Sequence, residues 1–263
     1  MASFEEETAV TRVAENHYRG ELCEGWRVGA VPNGGYVLAI AGRALREALP
    51  HNDPLSVNAF YLAPTALGPI DCHVQLLRVG KGTSFAEVRM EQEGELKVKV
   101  TAAYTDLANL SGENWQLNER PEFPAWEECE SSGQKVEYSS RVELRLVRGQ
   151  EVFRDRAPNG TGEFCGWVQL RDGSDPTAIS LLTIADAMPP PVLTLYGPVG
   201  WVPTVELTVQ VRAHPAPGPV QCRLATRYLT EGVVEEDGEY WDSSGKLVAL
   251  SRQTAKFRLP KKS

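Results

Sequence analysis

Apolar and polar positions along the chain switch between two periods, and the switch happens twice. Residues 36–49 (YVLAIAGRALREAL) are apolar nearly all round until Arg43 and stop at Pro50. That pattern predicts a helix buried on most faces. The turn signal Val31-Pro32-Asn33-Gly34-Gly35 precedes it, with Asn33 as the expected N-cap. Four strand-like runs follow at 55–62, 70–79, 84–91 and 96–104. Turns carrying Gly68-Pro69, Gly80-Lys81-Gly82 and Glu93-Gly94 separate them.

From about 107 to 135 the chain turns polar and acidic, with Pro121, Pro124 and Ser131-Ser132-Gly133, the composition of a linker. Strand-like runs resume at 142–147 and 162–170. Asp175-Pro176 then opens a second helix, expected over 177–188 and stopped by Pro189-Pro190-Pro191. Four more runs complete the chain at 201–213, 220–230, 234–241 and 247–258. Helix, proline stop and four strands thus occur twice, which predicts an internal duplication. A local match supports it: Gly68-Pro69-Ile70-Asp71-Cys72 answers Gly218-Pro219-Val220-Gln221-Cys222, 150 positions on. A long buried helix followed by an antiparallel sheet, twice over, predicts an α+β chain.

Composition narrows the class. The chain has 263 residues, 42% apolar and 24% charged, which suits a globular protein with a sizeable core. Its net charge of -8 argues against general nucleic-acid binding and against docking on anionic lipid. No run approaches the roughly 20 apolar residues of a spanning helix. The N-terminus MASFEEETAV lacks the marks of a secretory signal, and RLPKKS is not a peroxisomal address. Cys23, Cys72, Cys129, Cys165 and Cys222 are odd in number and widely spaced, which reads as reduced thiols in a cytoplasmic protein. His17, His51, His73 and His214 have no metal-ligand spacing, so no metal or cofactor is expected.

Asp186 stands out chemically. It follows the apolar run Ile179-Ser180-Leu181-Leu182-Thr183-Ile184-Ala185, near the end of a predicted helix, where the macrodipole disfavours negative charge. Burial would raise its pKa further. The residues alone leave two readings level: an active-site carboxylate, or a helix-end Asp facing solvent. By alternation Gln253 shares a strand face with Ala255 and Phe257, an unusual place for an amide unless it is hydrogen-bonded or lies at an edge. Thr204 has a bland reading as a good strand former. A nucleophile elbow G-x-S-x-G and a phosphate loop G-x-x-x-x-G-K-[ST] are both absent. Nothing favours a Cys–His nucleophile.

The ordered segments PNGGYVLAIAGRAL, FYLAP and LLRVGKGTSFAEVRMEQEGE, followed by a helix ending in Asp and Pro, a strand carrying Thr and a last strand carrying Gln, resemble the acyl-CoA thioesterase II-like (TesB-like) family. The resemblance implies a double hotdog: an N-terminal hotdog repeat over 1–108, a linker over 109–135 and a C-terminal hotdog repeat over 136–263. It implies an acyl-CoA substrate hydrolysed by one water, which Asp186, Thr204 and Gln253 hold without a covalent nucleophile or cofactor. Gly34 and Gly35 are the expected oxyanion donors, because helix starts present unpaired amides. The first helix has Ala44 or Leu45 where the second has its acid, so one working site per chain is expected. Arg78 and Lys81, with Arg252 and Lys256 as further options, are the candidates for the CoA phosphates. The Gly80-Lys81-Gly82 turn departs from the family, which more often has one glycine there. A homodimer or higher homo-oligomer also follows from the resemblance. The rival readings are a catalytically silent double hotdog that binds acyl-CoA or serves as a scaffold, and a hotdog hydratase or dehydratase. The latter usually pairs its acid with a His near the active-site helix, and no His occurs between His73 and His214.

Overall fold

A computed structural model describes residues 2–132 and 136–259. Met1, Gly133 with the rest of 133–135, and residues 260–263 lie outside the described residues, so the expected linker is described only to 132. The first half runs α1 (Phe4–Glu7), β1 (Thr11–Ala14), β2 (His17–Leu22), β3 (Arg27–Val28), β4 (Val31–Pro32), α2 (Gly34–Ala48), β5 (Asp53–Tyr61), β6 (Gly68–Val79), β7 (Ser84–Gln92) and β8 (Glu95–Thr105). The second runs β9 (Val142–Arg148), α3 (Gln150–Asp155), β10 (Glu163–Leu170), α4 (Ser180–Ile184), α5 (Leu193–Tyr196), β11 (Thr204–Val211), β12 (Val220–Ala225), β13 (Leu229–Thr230), β14 (Val233–Trp241) and β15 (Leu247–Lys256).

One antiparallel sheet takes thirteen of these strands, in the order β1-β2-β6-β7-β8-β5-β11-β15-β14-β12-β10-β9, with β13 paired to β14. The halves join edge to edge through β5 and β11, where Val57 faces Val209 and Phe60 faces Glu206. On either side of that seam the strand order mirrors itself. Register shows the repeat at residue level. Cys72 pairs Met90 as Cys222 pairs Tyr240. Ala86 pairs Ala102 as Glu236 pairs Gln253. An irregularity follows Pro54 in β5 as one follows Thr204 in β11. Pro54, Cys72, Ala86 and Met90 each precede their counterparts by the same 150 positions as the sequence match. The architecture is a double hotdog, with the sheet wrapped round two central helices.

The first helix forms as its sequence predicts. Asn33 Oδ1 accepts from Tyr36 N at 2.9 Å, and the helix ends at the residue before Leu49 and Pro50. Tyr36, Leu38, Ile40 and Leu45 are fully buried against the sheet. Burying each aliphatic side chain contributes on the order of 1.5–3 kcal/mol. The second helix is shorter than expected. Regular helix covers only Ser180–Ile184, and turns lead in and out of it. The start at Asp175-Pro176 is not used; Asp175 accepts from Gly218 N instead. Thr177 and Ser180 exchange side-chain-to-backbone bonds at 2.7 and 3.1 Å, which starts the helix one turn later. At the other end, Asp186 N and Ala187 N bond three residues back, to Thr183 O and Ile184 O, so the last turn tightens towards the proline triplet.

The two helices cross closely because α2 carries Gly35 and Gly42, two turns apart on one face. A Cβ on Gly42 would meet Leu182 Cδ1 at 2.8 Å. One on Gly35 would lie 2.8 Å from Asp186 Cβ and 2.9 Å from the carbonyl oxygens of Leu182 and Thr183. Thr183 Oγ1 donates to Gly35 O at 3.1 Å across the crossing.

Of the two strands before the first helix, β1 is exposed throughout, as suits a sheet edge, and β2, between β1 and β6, buries every second residue. The expected run 220–230 breaks after Ala225, and β13 turns back onto β14. The N-terminus is tied to the second half by a nearly buried ion pair. Arg141 donates to Glu7 through Nε at 2.7 Å and through its terminal nitrogen at 2.6 Å, and Trp26 Nε1 donates to the same carboxylate at 2.7 Å. Glu7→Ala leaves a guanidinium and an indole N–H unpaired, so a loss of about 3 kcal/mol in urea unfolding is expected. Unchanged stability would mean that water replaces the carboxylate freely.

Candidate active site

Asp186 belongs to the second half, but its side chain rests on the helix of the first. The α4 end delivers it over the α2 N-terminus. Oδ2 accepts from Gly35 N at 2.9 Å and from Asn33 Nδ2 at 3.1 Å. The same Asn33 amide donates to Asp186 O at 2.9 Å. Asn33 therefore caps α2 with one side-chain atom and clamps Asp186 with the other. Tyr61, at the end of β5, donates to Gly34 O at 2.8 Å and packs beside the carboxylate. The approach is tight at Gly34, where a Cβ would stand 3.1 Å from both Asp186 Oδ2 and the Tyr61 hydroxyl oxygen.

Two effects compete at this half-buried carboxyl. Desolvation pushes its pKa up; the Gly35 and Gly34 amides and the Asn33 side chain pull it down, as does the positive end of α2. Desolvation wins, and Asp186 is raised to about 6. Tyr61 and Tyr138 are held neutral by burial, reinforced in each by the charge of Asp186.

The other two candidates lie on the sheet. Gln253 on β15 is 6% exposed and faces Leu207 on β11 and Glu236 on β14. Thr204 faces Ala255, which shares the Gln253 face. The irregularity after Thr204 is what puts it there. Without the extra residue, Thr204 and Leu207, three apart, would point to opposite faces. Thr204 and Gln253 thus lie on the inner face, one strand step from each other. Tyr240, on the same inner face, ties the sheet to the end of α4 by donating to Ala185 O at 3.0 Å, directly before Asp186.

Other candidates fall elsewhere. Arg78 ends β6 and Lys81 lies in the following turn, where its carbonyl is bonded by His51, just past the C-terminus of α2. Asp186 sits at the N-terminus of that 15-residue helix, about 20 Å away. The structure does not bring Arg78 or Lys81 to Asp186. Arg252 lies on the outer sheet face, paired with Asp237 through two hydrogen bonds at 2.6 and 2.7 Å. The Gly35 amide, expected to serve an oxyanion, is occupied by Asp186. Each histidine has a partner elsewhere: His17 bonds Asp71 and stacks on His73, His51 bonds Ser84, and His214 pairs with Asp53.

Known proteins match this arrangement over most of its length. Residues 22–106 match the acyl-CoA thioesterase N-terminal domain and residues 116–257 the acyl-CoA thioesterase C-terminal domain. The chain belongs to the acyl-CoA thioesterase family. Within it, a Thermobifida fusca protein assigned as a thioesterase II superposes with a TM-score of 0.89 at 31% identity, over 98% of both chains. A hotdog-fold protein of unknown function from Alicyclobacillus acidocaldarius has the same fold, with a TM-score of 0.86 at 20% identity over 99% of each chain. A thioesterase-like protein of Talaromyces wortmannii is 22% identical over 97% of this chain and 91% of its own.

Two features of this thioesterase-family site escape a reading of the sequence. Asn33 is recognisable there as a cap but not as the clamp on Asp186, because the two are 153 positions apart. Glu236 is the other. Its signal is present, since the parity argument that marks Gln253 applies equally to Val234, Glu236, Gly238 and Tyr240 on β14. An open cavity of about 400 Å³ lies away from this site; Arg223, Arg227, Asp237, Glu239 and Arg252 line it with residues of β11 and β15. Those arginines are paired with Glu163, Asp237 and Glu239.

Proposed function

We propose that the chain hydrolyses acyl-CoA thioesters to the free acid and CoA, with Asp186 as general base. One observation carries the reading. In a member of the acyl-CoA thioesterase family, a half-buried carboxylate is fixed by Asn33 and Gly35 at a helix start, with its pKa poised at about 6. Such a base is mostly ionised at neutral pH, yet basic enough to take a proton from water. Thr204 and Gln253 orient that water from the sheet wall. Its oxygen bonds to the carbonyl carbon while a proton passes to Asp186. The carbon–sulfur bond then breaks, and the CoA sulfur leaves with the electron pair and takes the proton.

Activity should rise with pH through about 6, as Asp186 ionises. Release of free thiol from short, medium and long acyl-CoAs tests the reading. Wild-type protein that binds acyl-CoA but releases no thiol from any of them would point to the silent binding protein instead. Thr204→Val and Gln253→Leu are expected to lower kcat by about ten- to a hundredfold each with little change in KM, because they act on the water and not on the acyl chain. A rise in KM at constant kcat would move both residues from the water to substrate binding.

A further inference from the structure

Glu236 is a buried carboxyl that the proposed mechanism leaves unused. It is 5% exposed, and its Oε1 has no hydrogen-bond partner. Other buried acids are satisfied: Asp53 accepts from Leu107 N, and Asp242 from Ala216 N, Ser244 N and Lys246 N. A buried oxygen without a partner costs about 1–3 kcal/mol, so its retention asks for a reason. The fold does not supply one. The counterpart of Glu236 in the first repeat is Ala86 and that of Gln253 is Ala102, and that repeat forms the same strands with alanine at both places.

Its position is fixed by neighbours. Gly238, the next inner-face residue on β14, has no side chain, and the Tyr240 hydroxyl fills that space; a Cβ on Gly238 would lie 2.2 Å from it. The same hydroxyl holds Ala185 O, which brings the end of α4 onto this stretch of β14, within reach of the Asp186 charge acting on Glu236. Gln253 flanks Glu236 on β15. Meanwhile the donors nearest the helix start are committed: the Gly35 and Gly34 amides to Asp186, and the Tyr61 hydroxyl to Gly34 O. The developing oxyanion therefore needs a donor from the sheet side.

We propose that Glu236 is a further catalytic residue, whose neutral carboxyl donates a hydrogen bond to the thioester carbonyl oxygen as that oxygen takes on negative charge. This rests on the thioesterase reading. In the addition step, water oxygen bonds to the carbonyl carbon, its proton goes to Asp186, and the carbonyl electron pair moves onto the oxygen held by Glu236. On collapse the C=O bond reforms and the C–S bond breaks. The sulfur leaves with its electron pair and takes the proton from Asp186. Glu236 ends with its own proton, and water is the only co-reactant.

The charged and titratable groups around Glu236 favour the neutral form. Burial raises its pKa, the charges of Asp186 and of Glu235 on its own strand raise it further, and Tyr240 and Gln253 beside it carry no charge. The result is about 8. Two carboxyls pushed to different values divide into a base and an acid. Activity should then fall as pH rises through about 8, giving a bell with the rise at about 6.

Glu236→Ala and Glu236→Gln test the assignment, with kcat, KM and the pH–rate profile measured on acyl-CoA. Glu236→Ala is expected to lose about a hundredfold in kcat at nearly constant KM. Glu236→Gln keeps a donor and should stay within about tenfold of wild type while losing the alkaline fall. It also keeps the shape of the side chain, so it reports even where Glu236→Ala does not fold. An unaffected Glu236→Ala, a Glu236→Gln as inactive as Glu236→Ala, or an alkaline limb unchanged in Glu236→Gln each overturns the assignment while leaving the thioesterase reading in place. Wild-type protein with no thioesterase turnover overturns both.

Discussion

Replacing Asp186 with Asn is expected to cut kcat by about a hundredfold or more and to make the protein more stable at pH 8. The first effect follows from removal of the base that takes the proton from water. The second follows from its raised pKa. Folding moves this carboxyl from an ordinary value near 3.8 to about 6, so the folded state binds the proton more tightly than the unfolded chain. Below 3.8 both states are protonated and nothing is lost. Between those values stability declines as pH rises, and above about 6 the full deficit is present. After allowing for partial exposure, that deficit is on the order of 2 kcal/mol. Asn accepts from the Gly35 amide without paying it. Urea unfolding of both forms at pH 4 and pH 8 measures the effect, and the gain should be confined to the higher pH. Equal turnover in both forms would remove Asp186 from the reaction. A stability gain of the same size at both pH values would mean that charge is not its cause.

Gly35→Ala is expected to be strongly disruptive to both folding and turnover, and Gly42→Ala much milder. Both glycines lie in the crossing of α2 with α4. The obstacle at Gly42 is the tip of Leu182, a side chain that can turn aside. At Gly35 the obstacles are two backbone carbonyls and Asp186 Cβ, all within 2.9 Å. They can yield only by moving the helices apart. Overpacking of this kind costs about 1–3 kcal/mol or more. Here it also shifts the amide that holds Asp186, so kcat should fall by about tenfold or more as well, a displacement of 1 Å being worth up to a hundredfold. Melting temperature and thiol release, measured together on both variants, test the contrast. Equal behaviour of the two would show that the crossing is more plastic than its geometry implies.

Much of this arrangement can be read before any coordinates. Alternation gives the long strands, and the Asn33 cap with the Pro50 stop gives α2. The second helix was harder. Its apolar run is continuous from Ile179 to Met188, but Thr177–Ser180 capping and the proline triplet confine regular helix to five residues. Strand β1 is exposed on both faces and carries no period, and in β2 the buried positions Tyr18, Gly20 and Leu22 include a glycine that interrupts the apolar alternation. Asp186 announces itself as an acid in an apolar run. What it touches is not legible, since Asn33 and Gly35 belong to the other repeat. Arg78 and Lys81 illustrate the same limit in reverse. Their turn has a suggestive composition, and nothing in it tells which end of α2 it will lie against. Glu236 is legible by the same alternation that marks Gln253, since Val234, Glu236, Gly238 and Tyr240 share the buried face of β14.

The backbone ladder between β5 and β11 makes two repeats into one sheet, and it changes what mutation can do. In an assembly of identical subunits every substitution appears at each symmetric position. In a fused chain it appears once. Ala86 and Ala102 could therefore arise where Glu236 and Gln253 persist, leaving the first repeat to supply Asn33 and Gly35 to its neighbour's acid. On the proposed reaction, the stoichiometry is one reaction centre for every two hotdog units, and a tight-binding inhibitor is expected to titrate one equivalent per chain.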